Sequence, residues 1–276
     1  MNASPYSREL DVARALALDA GRLILGYHRT GLTVDRKAGD EPVTRADREA
    51  SDLILAGLAR AFPDDVLISE EGPDDTRRLE PSRRVWYIDP LDGTRDFIHG
   101  RDGFAVMIGL VVDGRPRVGA VYQPTSTRLY LAATGAGATL VEAGVTRALA
   151  CSTVSEAGSI RMVSSRSHRT DEVERVKTRL GVADELQIGS VGIKLGLIAL
   201  GERDLYVNPG SRCKAWDTCA PEAILDAAGG RLTDLRGRPV RYDALELAHG
   251  GGLVATNGLL HAQVLARLAE LFPTLA

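Results

Sequence analysis

The segment Trp86-Tyr87-Ile88-Asp89-Pro90-Leu91-Asp92-Gly93-Thr94 runs from apolar residues into two carboxylates three positions apart, then a glycine and a hydroxyl. Val85 to Ile88 reads as a short apolar strand, so both aspartates stand at its carboxyl end. A second apolar strand, Val66 to Ser69, leads into Glu70-Glu71, with Glu70 nineteen residues before Asp89. Far downstream comes Trp216-Asp217-Thr218. Acidic residues from three separate segments can therefore converge, and hard divalent cations favour such oxygen ligands. At the Asp-Pro-Leu-Asp spacing a turning backbone can aim Asp89, Asp92 and the Leu91 carbonyl at one point, while Gly93 permits close backbone approach.

Outward from these segments the chain reads as mixed α and β. Apolar residues at three- and four-residue steps, Leu10, Ala13, Ala17, Ala20, Ile24 and Tyr27, predict an amphipathic helix over about 7–29 that ends at Gly31. A second helix is expected from about Thr44 to Ala61, with Asp47 in its first turn, Ile54, Leu55 and Leu58 on its buried face, and Pro63 as its stop. From Phe104 to Ala133 the pattern is of strands and turns, and Asp113-Gly114 is a strong hairpin signal. After about Ala148 the texture becomes α/β, with strands at 160–163, 186–188 and 205–207 and helices at 170–180 and 192–200. A helix opening near Asp217 and running to Ala228, strands at 232–233 and 253–255, and a closing helix over about 259–271 complete the chain. The expectation is an α+β lobe over 1–147 carrying most of the acidic cluster and an α/β lobe over 148–276 carrying Asp217 and substrate contacts. A cleft between two such lobes is the default site.

Composition narrows the function classes. At 276 residues the chain exceeds the usual size of a single small core. Its 34 basic and 37 acidic side chains give a net charge of −3, which argues against general nucleic-acid binding and against an anionic membrane surface. A negative substrate must then be held by local cations. Cys151, Cys213 and Cys219 form an odd set without zinc-type spacing, which reads as reduced thiols. The charged start, with Arg8, Glu9, Asp11 and Arg14, lacks the apolar core of a signal peptide, and no apolar run suits a membrane span. A cytoplasmic protein is expected.

Each acidic group also suits a plainer role. Asp89 and Asp92 fit a polar turn whose carboxylates bond local amides. Glu70-Glu71 fits a solvated loop, Asp217 a helix N-cap, and Asp47 the positive end of its helix. Taken together, the four groups point instead to two or three Mg2+ ions that clamp a phosphate and lower the pKa of a bound water. Asp89 would then bridge, with Glu70 and Asp92 falling to different ions.

With Pro42-Val43-Thr44-Arg45-Ala46-Asp47 upstream, Glu70-Glu71, Asp89-Pro90-Leu91-Asp92-Gly93-Thr94 and Trp216-Asp217 resemble the inositol monophosphatase superfamily of lithium-sensitive, magnesium-dependent phosphatases. The resemblance extends over nearly the whole chain. It implies a layered αβαβα sandwich in which Glu70, Asp89, the Leu91 carbonyl, Asp92 and Asp217 bind metal. It also implies that Asp47 and Thr94 activate the attacking water, that Glu70 helps to orient it, and that hydrolysis is direct, without a phosphoenzyme. A non-catalytic phosphate sensor would use the same ligands but would have no need of the Asp47–Thr94 pair. Members are often dimers, so a homodimer is compatible with the chain.

Within the superfamily, Lys214-Ala215-Trp216-Asp217-Thr218-Cys219-Ala220-Pro221-Glu222 is similar to the 3′(2′),5′-bisphosphate nucleotidases. These enzymes take the 3′-phosphate from 3′-phosphoadenosine 5′-phosphate to leave AMP, a step linked to sulfur metabolism. Ser164-Ser165-Arg166-Ser167-His168 is similar to the nucleotidase segment that faces the nucleotide, which assigns Ser165 and His168 to substrate, although His168 also suits a solvated loop. Gly189-Ser190-Val191-Gly192-Ile193-Lys194 is a glycine-rich turn opening a helix, a setting that welcomes an anion. The resemblance places substrate there, with Gly192 and Lys194 beside Gly93, Thr94 and Asp217, and pairs Lys194 with the 5′-phosphate. Arg212 and Lys214 are further cations near the site. Two departures, Arg95-Asp96 for a frequent Lys-Glu and Gly192 for a frequent serine, leave an inositol monophosphatase or a broad sugar-phosphate phosphatase as the alternative.

Overall fold

The computed structural model describes residues 4–28, 34–36, 42–167 and 170–272. Helix α1 (Ser7–His28) buries Ala13, Ala17, Ala20 and Ile24 on one face, as its three- and four-residue steps require. The expected end at Gly31 falls outside the described residues. A short antiparallel pair, β1 (Val34–Arg36) and β2 (Pro42–Thr44), precedes α2 (Arg45–Ala61). Ala46, Ala50, Ile54 and Leu58 of α2 are buried, and full burial of a side chain such as Leu58 contributes about 1.5–3 kcal/mol. The small alanine faces let α1 and α2 pack together against the first sheet.

That sheet has seven strands in sequential order: β3 (Val66–Ser69), β4 (Arg84–Asp92), β5 (Ala105–Val112), β6 (Arg115–Gln123), β7 (Arg128–Ala133), β8 (Gly137–Glu142) and β9 (Val145–Ala148). All neighbours are antiparallel except β3 and β4, which run parallel and so deliver Glu70 and Asp89 to the same edge. Asp113 and Gly114, both at positive φ, form the two-residue turn between β5 and β6 that the sequence signals. Strands β8 and β9 went unread because Gly135, Gly137 and four alanines in 136–148 dilute the alternating pattern.

A short helix, α3 (Thr94–Ile98), follows β4. The second sheet contains β10 (Arg161–Ser165), β11 (Asp184–Ile188), β12 (Leu205–Asn208), β13 (Arg231–Thr233) and β14 (Leu253–Thr256), in the order β11-β10-β12-β14-β13. Helix α4 (Asp171–Leu180) and the last helix, α7 (His261–Ala269), cover its outer face. Between the sheets lie α5 (Val191–Ala199) and α6 (Ala215–Ala227). Every residue of α5 is buried, Lys194 included, as expected for a helix that is otherwise apolar all round and covered on both sides. The result is the five-layer αβαβα sandwich, with a core that runs from Val66 to Ala255. No helix among the described residues is long and apolar enough to cross a membrane.

Candidate active site

In a regular strand, side chains three positions apart point to opposite faces. Asp89 and Asp92 escape this rule because β4 bulges between them: Asp89 pairs with Met107 and Asp92 with Ala105, so three steps on β4 oppose two on β5. Pro90, which has no amide proton to lose from the ladder, sits in the bulge. The Leu91 amide donates to Asp89 Oδ1 at 3.0 Å. Gly93 then turns the chain with φ at 96°, and a Cβ there would stand 2.5 Å from the Gly103 carbonyl oxygen, so this corner requires glycine.

The hydroxyl of Thr94 lies 3.2 Å from Asp47 Oδ1 and 3.1 Å from the Leu91 carbonyl. Asp47 sits in the first turn of α2, where its Oδ2 accepts from the Thr44 amide at 2.7 Å and from the Thr44 hydroxyl at 2.5 Å. A carboxylate in the first helical turn is favoured by the positive end of the dipole. Helix α6 repeats the device. Its N-cap is Lys214 rather than Asp217, and Asp217 reaches back from the first turn to accept from the Lys214 amide at 2.7 Å.

Asp92 is held from the second half of the chain. Its Oδ2 accepts from the Ser190 hydroxyl at 2.6 Å and from the Gly192 amide at 3.0 Å. Gly192 is buried against Met107, so its amide serves Asp92 and does not line the cleft. Lys194 is 1% exposed, donates to the Gly189 carbonyl at 2.6 Å and lies 5.2 Å from the Tyr206 ring centre. Burial pulls its ammonium below the usual lysine range, opposed first by the charge of Asp92. It thus stands beneath the acidic cluster as a buried counter-charge. Ser190→Ala should cost about 1 kcal/mol through the lost cap of α5. It should also lower kcat/KM about tenfold because Asp92 loses a supporting donor, whereas Ser190→Thr should keep both; denaturant melts and initial rates check this.

Burial, then the charges of Glu70, Asp92 and Asp217, hold the Asp89 carboxyl well above the usual carboxylate range. Burial, followed by Asp92 and Glu70, does the same to Asp217. Burial also raises Asp92, with Lys194 the largest opposing influence. Each of the three carboxylates gives one oxygen to protein donors, while its second accepts no hydrogen bond from the described residues. Among the described residues no three acidic, imidazole or thiol groups are already closed around a common point. The donor set fits Mg2+ chemically: oxygen-only, acidic, mutually repelling and aimed into one volume.

That volume is a cleft of about 600 Å³ lined by Glu70, Asp89, Leu91, Asp92, Gly93, Thr94 and Asp217, together with Ser165 and Lys194. Arg212, Lys214 and Trp216 line the same cleft. His168 lies outside the described residues. Two contributors escaped the sequence reading. Ser190 carried a usable signal, a serine directly before a helical run that is apolar but for Lys194. Asp96 carried none: it is fully buried, ion-paired with Arg166 at 2.6 Å, and packed against Gly103 and Gly189 across the two halves of the chain.

The sequence model of the inositol monophosphatase family matches residues 6–272. The chain is 37% identical over 233 residues to the 3′(2′),5′-bisphosphate nucleotidase CysQ of Salmonella typhimurium, covering 84% of this chain and 92% of that protein. It is 34% identical over 265 residues to the histidinol-phosphatase of Mycobacterium tuberculosis, covering 94% and 97%. Among solved structures, an IMPase of Thermotoga maritima superposes with a TM-score of 0.83 at 25% identity, covering 98% of this chain and 100% of that one. CysQ of Bacteroides thetaiotaomicron gives 0.76 at 28% identity, covering 92% and 98%. The bulged aspartate strand, the sandwich around it and these likenesses agree, and the chain belongs to the inositol monophosphatase family.

Proposed function

We propose that this enzyme is a Mg2+-dependent phosphomonoesterase that removes the 3′-phosphate of 3′-phosphoadenosine 5′-phosphate to leave AMP. The observation that carries the reading is the joint placement of Glu70, Asp89, Leu91, Asp92 and Asp217 on one cleft, with Thr94, hydrogen-bonded to Asp47, at its wall. The nucleotide assignment draws on the string from Lys214 to Glu222 and on the CysQ relatives at 36–37% identity.

Glu70, Asp89, the Leu91 carbonyl, Asp92 and Asp217 would hold the cation. When bound, Mg2+ supplies charge that offsets the phosphate oxygens and acidifies water. The residues themselves do the positioning. Asp47, fixed by Thr44, accepts the hydroxyl proton of Thr94, which leaves the Thr94 oxygen free to take a proton from the attacking water. Glu70 orients that water. The water oxygen bonds to phosphorus as the bond from phosphorus to the ester oxygen breaks, and solvent protonates the released 3′-oxygen to give the 3′-hydroxyl. The charge of Lys194 favours the ionised form of Asp92, while Arg212 and Lys214, with Ser165, line the part of the cleft open to the rest of the substrate.

A second reading, a phosphatase for inositol, sugar or histidinol phosphates, is favoured by the histidinol-phosphatase relative, which spans more of the chain than CysQ does. Phosphate release from 3′-phosphoadenosine 5′-phosphate, inositol 1-phosphate and histidinol phosphate, measured side by side with Mg2+, decides between them. The nucleotide is expected to give the highest kcat/KM by at least about tenfold, the discrimination a few well-placed contacts supply. A preference for either other ester would overturn the assignment.

A further inference from the structure

Glu70, Asp89 and Asp217 belong to three elements, and their like charges oppose assembly, so something outside the cleft has to hold those elements in register. We propose that residues 242–249, in the connection between β13 and β14, form a positioning strap for the three acids, with Arg78 and His249 as its positioning residues. This rests on the metal site proposed above.

The strap is anchored to each acid-bearing segment in turn. The Tyr87 hydroxyl, two residues before Asp89, donates to the Tyr242 carbonyl at 2.6 Å, and the two rings lie 5.8 Å apart. Arg78, in the loop that follows Glu70-Glu71, donates to the Ala244 and Leu245 carbonyls at 2.6 Å each. Its guanidinium also forks onto both oxygens of Asp74, at 2.7 and 2.9 Å. Charge-assisted bonds of this kind are the strong ones, and a side chain only 3% exposed loses them to nothing else.

At its far end the strap grips the start of α6. The Ala215 amide donates to the Leu247 carbonyl at 2.9 Å, and the His249 amide donates to the Cys213 carbonyl at 2.8 Å. The His249 ring nitrogen Nε2 lies 2.8 Å from the Thr218 hydroxyl, next to Asp217. Burial pushes this imidazole down to about 4, so it remains neutral at physiological pH and keeps the geometry of a hydrogen-bonding ring. Tyr242 closes the circuit by reaching Thr218 at 3.0 Å and Glu222 at 2.5 Å. Beyond Tyr242, which is buried in the core, and Leu247, which packs against it, the strap is largely open, with Leu245 73% exposed.

The test is Mn2+ binding to the intact protein, followed by electron paramagnetic resonance of the free ion, alongside thermal melts in EDTA. Arg78→Met and His249→Ala should each raise the Mn2+ dissociation constant about tenfold, the usual result of losing a support behind the ligands. Arg78→Lys should recover part of the loss. The double variant should be little worse than either single one, because both cut the same tie. Arg161→Met, which breaks the ion pair to buried Asp204 far along the second sheet, should lower the melting temperature without moving the constant. If Arg78→Met fails to fold, Arg78→Lys and His249→Ala carry the comparison. Unchanged Mn2+ affinity in these variants, with normal binding by the parent, would overturn the strap; absence of binding by the parent would instead sink the metal site.

Discussion

Asp89→Asn is expected to lower kcat about a thousandfold or more, since the charge stabilisation that a bound cation supplies is worth several kcal/mol. The same change should leave the metal-free protein at least as stable as the parent. Both expectations follow from one cause. Asp89 is 1% exposed and crowded by Glu70, Asp92 and Asp217, so its negative charge is a burden on the empty cluster and an asset only when a cation is present. An amide of the same shape still accepts from the Leu91 amide, so the bulge has no reason to move. Denaturant melts with and without Mg2+ separate the two effects: the parent should gain stability from the ion and the variant should gain little. A variant that melts far below the parent in EDTA, or that turns over normally, would contradict this account of the site.

Lys194→Met should act in the opposite sense on the metal-free protein, destabilising it, because Asp92 then loses the charge that most favours its ionised form. Lys194 is the largest influence favouring the ionised form of Asp92, and methionine fills its space without its charge. Because the lost ammonium also repels an incoming cation, added Mg2+ should restore more stability to this variant than to the parent. Urea titrations at several Mg2+ concentrations check both signs. Equal stability of variant and parent in EDTA would show that Lys194 does not serve as the counter-charge.

Much of this architecture is legible along the chain. The steps from Ala13 to Ile24, the stop at Pro63, the Asp113-Gly114 turn and the largely apolar run from Val191 to Ala199 each report a local rule with one solution. Local rules fail where the deciding partner is distant. Strand β4 runs on past Ile88 to Asp92 because β5 continues to pair with it, and no feature of the aspartate string announces that partner. Asp217 resembled a cap and proved to sit inside the first turn, where it reaches back to the true cap Lys214, three positions earlier. Gly192, which the sequence offered to substrate, spends its amide on Asp92.

The sequence by itself determined most of the elements and the chemical character of the candidate site, because helix period, turn residues and the choice of oxygen donors are properties of short segments. Only the tertiary structure decided which face each acid takes and what holds it there. The β4 bulge turns Asp89 and Asp92 to the same side, Ser190 and Gly192 arrive at Asp92 from about a hundred residues away, and Arg78 meets a loop more than 160 residues downstream. Contacts of that reach form only when two sheets and the helices between them bury a common core, and no local pattern encodes them.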